Sequence, residues 1–266
     1  MNVLFGIPSF GEWQINLQKI PYRTYFKNFF KIDEFMNYIE DNKIDIIIPL
    51  TYQQMTFVMK YYNKIICRVK KIVCGKDTNV VRLLDNKNEF YKQFSQYVPQ
   101  VYIIKTYDKK EIIQEPEYPC IYKLARIYGG IESFVINNKE ELDNIKSNKA
   151  YIIQKYIQLP NEYSGNFYVV DGIIKFFVYY MMTNHTPHYI QHGRLSKYER
   201  VTEPYWLDTF TEIFTKLKYT GFACIDFKVV DNKPIIFEIN PRLGGSIVCT
   251  NEQDLKKIID VAINLS

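Results

Sequence analysis

Apolar positions along the chain switch repeatedly between a two-residue and a 3.6-residue period. Near the N-terminus Asn2–Phe5, Asp45–Pro49 and Lys71–Cys74 are short apolar runs that read as strands. Ile32, Phe35, Met36 and Ile39 fall at helical spacing behind a cap at Asp33. This rhythm predicts a small parallel α/β unit ending near Val81, without a dinucleotide glycine fingerprint. A helix is expected over Asn86–Tyr97, capped by Asp85 and stopped before Pro99. Strand signals follow at Pro119–Leu124, Ser133–Ile136 and Tyr151–Ile157, with a charged helix from Lys139 to about Ile145, a pattern of antiparallel α+β type. Phe167–Val170 and Ile173–Met181 form a hairpin about Asp171-Gly172. Pro204 opens an amphipathic helix with Leu207, Phe210, Ile213, Phe214 and Leu217 on one face and Gly221 as its terminator; Leu255, Ile258, Ile259 and Ala262 mark a last helix.

The segment from Gly221 to Arg242 carries the chemistry. Two apolar runs flank Asp231-Asn232-Lys233, so a three-residue loop pairs Val230 with Pro234 and sets Asp226 opposite Glu238. Strand alternation then puts Ile225, Phe227, Val229, Ile235, Phe237 and Ile239 on an apolar face. Asp226, Lys228, Glu238, Asn240 and Arg242 share the other. Two ionised carboxylates across a ladder repel by roughly 1 kcal/mol or less unless a cation sits between them. Two carboxylates and an amide on rigid strands suit Mg²⁺ or Mn²⁺, and Arg242 would reach a developing negative charge beside the metal. A solvated charged face, created by a one-residue slip of register, is the alternative.

Composition narrows the class. A chain of 266 residues with 47% hydrophobic content can bury a substantial core. The longest apolar run, Ile173 to Met182, is interrupted by Lys175 and is too short for a membrane helix of about 20 residues. The N-terminus reads as a strand rather than a signal peptide, so a cytoplasmic location and no membrane partner are expected. Five scattered cysteines, Cys67, Cys74, Cys120, Cys224 and Cys249, are expected to be reduced thiols rather than disulfides. A formal charge of +5, spread along the chain, argues against nucleic-acid binding. The aromatic surplus, with 23 Tyr and 18 Phe, permits an apolar homo-oligomer interface.

The run Gly-Phe-Ala-Cys-Ile-Asp226-Phe, followed by Ile-Ile-Phe-Glu238-Ile-Asn240-Pro-Arg242-Leu-Gly-Gly, resembles the metal-binding signature of the ATP-grasp superfamily, in particular its carbamoyl-phosphate-synthase-like members. The resemblance covers nearly the whole chain. It implies an α/β plus α+β architecture: a small N-terminal Rossmann-like domain over residues 1–83, a central lobe over 84–155 and a C-terminal lobe with the metal site over 156–266, the two antiparallel lobes clamping ATP. By that resemblance Asp226, Glu238 and Asn240 hold Mg²⁺ (or Mn²⁺), and Lys87 and Lys123 meet the phosphates. Gly129 and Gly130 stand where the family has a glycine-rich phosphate loop, although an ordinary turn explains that pair equally well. Gln154, Lys155 and Ile157 match the interlobe strand whose backbone meets adenine, and Glu162 matches the acidic residue that holds the ribose. Asn86 departs from the aspartate that commonly precedes the first lysine, and the glycine loop is short.

The implied activity is ligation of a small-molecule carboxylate to an amine or another nucleophile through an acyl phosphate, with Arg242 and Lys123 as catalytic residues. Gly244, Gly245 and Ser246 could offer backbone donors to the acceptor carboxylate, or form a simple turn. A phosphotransferase with a hydroxyl acceptor and a non-catalytic nucleotide-binding module remain as alternatives. His185, His188 and His192 cluster, but Thr186-Pro187 breaks any helix that would align them, and a polar loop beside the cleft is the favoured reading over zinc.

Overall fold

Ile46, Ile47 and Ile48 are at most 2% exposed, as a strand covered on both faces requires. They form β3 (Ile46–Ile48) of a four-stranded parallel sheet ordered β2-β1-β3-β4, with β1 (Asn2–Gly6), β2 (Arg23–Lys27) and β4 (Lys71–Ile72). The computed structural model describes residues 1–8, 11–126, 132–183, 198–202 and 205–265. Helices α1 (Gly11–Leu17), α2 (Ile32–Asp41), α3 (Tyr52–Lys60) and α4 (Tyr62–Ile66) accompany the sheet. The cap of α2 is Lys31 without a side-chain hydrogen bond, and Asp33 lies inside the first turn, where its charge favours the helix dipole.

The expected single helix over residues 86–97 is divided. Helix α5 (Thr78–Asp85) ends at Asn86, whose backbone is extended (φ −107°, ψ 104°) and whose side chain accepts from the Asn88 N–H to cap α6 (Lys87–Gln93). Asn86, not Asp85, is therefore the cap, and it turns the chain so that Lys87 opens a new helix. A 3-10 turn over Ser95–Tyr97 completes the segment. Next come β5 (Val101–Lys105), β6 (Lys110–Ile112), β7 (Cys120–Leu124), β8 (Phe134–Ile136), α7 (Lys139–Asp143) and β9 (Tyr151–Lys155). These strands form an antiparallel sheet ordered β6-β5-β9-β7-β8.

A second antiparallel sheet, ordered β12-β11-β10-β13-β14, is built from β10 (Asn161–Val170), β11 (Ile173–Thr183), β12 (Tyr198–Val201), β13 (Gly221–Val230) and β14 (Lys233–Asn240). Alternation sorts its side chains between two cores. Tyr179, Phe167 and Phe227 pack with Phe210, Ile213 and Phe214 of α8 (Leu207–Leu217). Tyr180, Tyr168 and Phe222 face Leu255, Ile258 and Ile259 of α10 (Glu252–Asn264), together with Phe5 and Trp13. The N-terminal sheet is thereby cemented to the C-terminal one. A third cluster, including Tyr102, Tyr122, Tyr151 and Ile153, fills the middle sheet's other side. Helix α8 stops at Lys218, which adopts the left-handed conformation (φ 47°), while Gly221 is the first residue of β13. Pro204 lies outside the described residues.

Candidate functional site

The β13–β14 hairpin reaches the expected pairing by a different route. Asp231 and Asn232 both have positive φ (49° and 61°), so the turn has two residues and pairs Val230 with Lys233. A regular ladder from that turn would place Phe237 opposite Asp226. A bulge between Phe227 and Asp226 absorbs one residue and brings Glu238 opposite Asp226 and Asn240 opposite Cys224. The shorter turn also moves two apolar residues. Ile236, fully buried, faces Phe227 in the core, whereas Ile235 and Phe237 are only partly buried. Phe237 turns its ring beneath Lys123, whose ammonium lies 4.4 Å from the ring centroid.

The cation facing Glu238 in this structure is the Lys87 ammonium, 2.7 Å from Oε2. Burial would raise the Glu238 carboxyl, but the charge and hydrogen bond of Lys87, the Asn240 amide and Lys123 outweigh it and hold it down at about 2. Burial pushes the Lys123 ammonium down to about 8; Glu162 and Glu238 oppose that fall, and Lys87 and Lys228 add to it. Asn240 Nδ2 donates to Glu238 Oε1 at 2.9 Å, leaving Oδ1 toward Arg242 Nη2 at 3.4 Å. The Arg242 guanidinium lies over the Trp13 ring of α1, 5.9 Å from its centroid.

Asp226 is fixed from the neighbouring strand. Ser164 of β10 sits opposite it and donates to Oδ1 at 2.9 Å. Ser164 also contacts Ser246 Oγ at 2.8 Å, which in turn accepts from Asn166 Nδ2 at 2.8 Å. Asn166 Oδ1 accepts from the Gly244 N–H at 3.2 Å. That bond occupies a backbone donor expected to be open to an acceptor carboxylate, and Gly245–Thr250 forms a helix, α9, rather than a simple turn. A side chain at Gly244 would place Cβ 2.4 Å from Cys224 Sγ and 2.5 Å from Asn166 Oδ1, so only glycine permits this approach.

Residues 84–246, more than half of the chain, match the model of the ATP-grasp domain. The protein belongs to the ATP-grasp family. Solved structures agree at the level of the fold. D-alanine–D-alanine ligase from Bacillus anthracis complexed with ATP is 17% identical, with a TM-score of 0.66, over 98% of this chain and 96% of that one. L-amino acid ligase from Bacillus licheniformis is 14% identical, with a TM-score of 0.65, over 99% and 74%. Biotin carboxylase from Campylobacter jejuni is 16% identical, with a TM-score of 0.65, over 100% and 71%. No curated protein gave a significant match by sequence.

Within this ATP-grasp fold the middle sheet meets the hairpin through Lys123, which lies over Phe237. Lys123 pairs with Ile152 and Ile121 with Gln154, so Lys123 and Gln154 project from the same face of that sheet. Strand β9 is central rather than an edge: Gln154 is paired on both sides, with Val101 and Ile121, and only from Tyr156 onward does the backbone leave the ladder. Lys155 is exposed, 4.0 Å from Glu117, and projects from the face opposite Gln154 and Lys123. Lys228, 6% exposed, donates to the carbonyls of Ile157 (3.0 Å) and Leu159 (2.8 Å) and pins the segment that follows β9. Burial lowers its ammonium, with Glu162 opposing. Glu162 lies at the start of β10.

Gly129, Gly130 and the three histidines fall outside the described residues. Among the described residues no group of three His, Cys, Asp or Glu side chains could hold a metal. A cation here would take two carboxylates and the Asn240 amide oxygen, an all-oxygen set that suits Mg²⁺. Sequence reasoning missed Ser164, Asn166 and Lys228's clamp. Alternate polar residues in an apolar strand, Ser164 and Asn166, were the available signal, but Gly165 between them reads as a break.

Proposed function

We propose that the protein is an ATP-dependent ligase joining a small-molecule carboxylate to an amine or a related nucleophile. The observation that carries this reading is the convergence, at the β13–β14 hairpin, of the Asp226–Glu238 pair with Asn240 and of the lysines Lys87 and Lys123. Like charges are placed across a ladder by a dedicated bulge, an arrangement that costs stability unless cations gather there. Asp226, Glu238 and Asn240 would hold Mg²⁺, which neutralises phosphate charge when bound. Lys87 exchanges Glu238 for phosphate oxygens, and Lys123 holds the transferring group from the middle sheet. Arg242, steadied by Trp13 and Asn240, faces the charge that develops on the transferred phosphoryl group.

In this scheme a carboxylate oxygen of the substrate attacks the terminal phosphorus, and the bond to the bridging oxygen breaks to release ADP. The amine nitrogen then adds to the acyl carbon, loses its proton and expels phosphate. None of the charged residues needs to act as a base in the first step. The shared fold of D-alanine–D-alanine ligase and L-amino acid ligase supports this reading.

The test is a panel of carboxylates and amines assayed for ADP release. Activity that requires both partners, and that falls at least about 10³-fold in Glu238→Gln, is expected from loss of a metal ligand in the transferring site. A stable phosphorylated hydroxyl product would refute ligation. Tight ATP binding without ADP from any pair would point to a nucleotide-binding module instead.

A further inference from the structure

A long, flexible side chain serves phosphoryl transfer only when its charge is held in one place, and Arg242 is held from outside the segment that matches the ATP-grasp domain. Its guanidinium lies over the ring of Trp13, 5.9 Å from the centroid, and Trp13 belongs to α1. The ring is only 9% exposed and sits in the core with Phe5, Leu243, Ile247 and Val248. Gly245 lies against it, since a Cβ there would stand 3.2 Å from Cζ2 and 3.7 Å from Cε2 and Nε1. An aromatic face wedged in this way offers a planar guanidinium one stacked orientation, which an ammonium, having no plane, does not share. That orientation propagates. Arg242 Nη2 lies 3.4 Å from Asn240 Oδ1, and Nη1 donates to the Leu243 carbonyl at 3.1 Å. The Asn240 amide, its oxygen turned to Arg242, donates from Nδ2 to Glu238 Oε1 at 2.9 Å, and Glu238 Oε2 meets the Lys87 ammonium at 2.7 Å. One row of contacts runs from α1 through Arg242, Asn240 and Glu238 to α6.

We propose that Trp13 is a positioning residue for phosphoryl transfer: its ring fixes the direction of the Arg242 guanidinium, so that α1, outside residues 84–246, completes the transferring site. The inference rests on the ligase reading above and deepens it. Arg242 acts on charge that appears only as the phosphoryl group moves, so loss of its direction slows turnover without loosening the bound nucleotide. A ring that served packing alone would affect turnover equally whichever residue stood at position 242.

The experiment measures kcat for amine-dependent ADP release, the Mg-ATP dissociation constant and thermal unfolding. It compares the intact protein with Trp13→Phe, Trp13→Leu, Arg242→Lys and the double variant of Trp13→Leu with Arg242→Lys. Trp13→Leu should lower kcat by roughly 30-fold, the scale of a charged group displaced by about 1 Å, with the dissociation constant within about threefold. Trp13→Phe keeps an aromatic face and should retain kcat within about threefold. In the Arg242→Lys background Trp13→Leu should cost less than about threefold more, because the planar group it orients is gone. The chain has two tryptophans, so Trp206→Phe leaves Trp13 as the sole indole emitter. Adding Arg242→Met to that protein should shift the emission by removing the cation over the ring, a measurement that needs no turnover and decides the matter if Trp13→Leu does not fold. Equal losses from Trp13→Leu in both backgrounds, full kcat in a folded Trp13→Leu protein, or emission indifferent to Arg242→Met would each overturn this inference alone. No ADP release by the intact protein with any substrate pair would overturn the ligase reading and this inference with it.

Discussion

Glu238 is held as an anion by a buried ammonium, and its protonation reports on that bond. Its carboxyl sits at about 2 in the folded protein against 4.5 for the free group. A lowered carboxyl contributes stability in full above pH 4.5 and loses it as the pH falls toward 2, because the unfolded chain binds the proton first. Acid unfolding of Lys87→Met should therefore begin at higher pH than that of the intact protein. Glu238→Gln should lower stability at neutral pH by about 3 kcal/mol, since it leaves the Lys87 charge buried against a neutral amide. Lys123 gives the same direction of pH dependence for a different reason: burial brings it down from 10.5 to about 8, so the cost of its buried charge is relieved and its own contribution to stability rises with pH across that window. Phosphate binding runs the other way. Mg-nucleotide affinity should drop roughly tenfold as pH passes above 8 and the ammonium discharges, and Lys123→Arg should remove that limb. Unfolding free energy and affinity, each titrated against pH, check the two dependences. At this scale the grouping of Asp226, Glu238, Asn240 and Arg242 was legible because strand alternation and a family signature both mark them. Ser164 was not, since only the register of β10 against β13 brings its hydroxyl to Asp226.

Elements show where sequence reasoning reaches a right pairing through two compensating errors. The expected three-residue loop and the observed two-residue turn differ by one position, and the bulge returns that position at Phe237. Hydrophobicity could not reveal this, because Ile235, Ile236 and Phe237 are all apolar and any register of the run looks acceptable. The division of the 86–97 segment was similarly hidden: Asn86 is an ordinary helix residue by pattern, and only its capping bond to Asn88 shows the break that starts a helix at Lys87. Gly165 concealed the first half of β10, and with it Ser164 and Asn166. The structural demand on Gly244 gives a check at this scale. Gly244→Ala should cost about 2 kcal/mol by overpacking against Cys224 and Asn166, read from urea denaturation, and should slow ADP release by displacing α9 and Ser246 from Ser164, which holds Asp226. An alanine variant of unchanged stability would contradict the packing described.

Across the whole molecule, two antiparallel sheets meet where Lys123 lies over Phe237, while the parallel N-terminal sheet is joined to the C-terminal sheet through Phe5, Trp13 and α10. The alternation of strand and helix, and the change to antiparallel pairing after residue 100, were readable from periodicity. The packing of α1 against α9, which brings Trp13 to Arg242, was not, because α1 has no sequence signal beyond two buried residues. A ligand held by both sheets stabilises them together. Mg-ATP at a hundredfold excess over its dissociation constant should raise unfolding free energy by about 2.7 kcal/mol, a rise largely lost in Glu238→Gln. The central claim is the route through an acyl phosphate. Its most direct measurement follows heavy oxygen from a labelled carboxylate that supports amine-dependent ADP release. One labelled atom in each phosphate released, with the other retained in the amide, is the predicted result; unlabelled phosphate would contradict it.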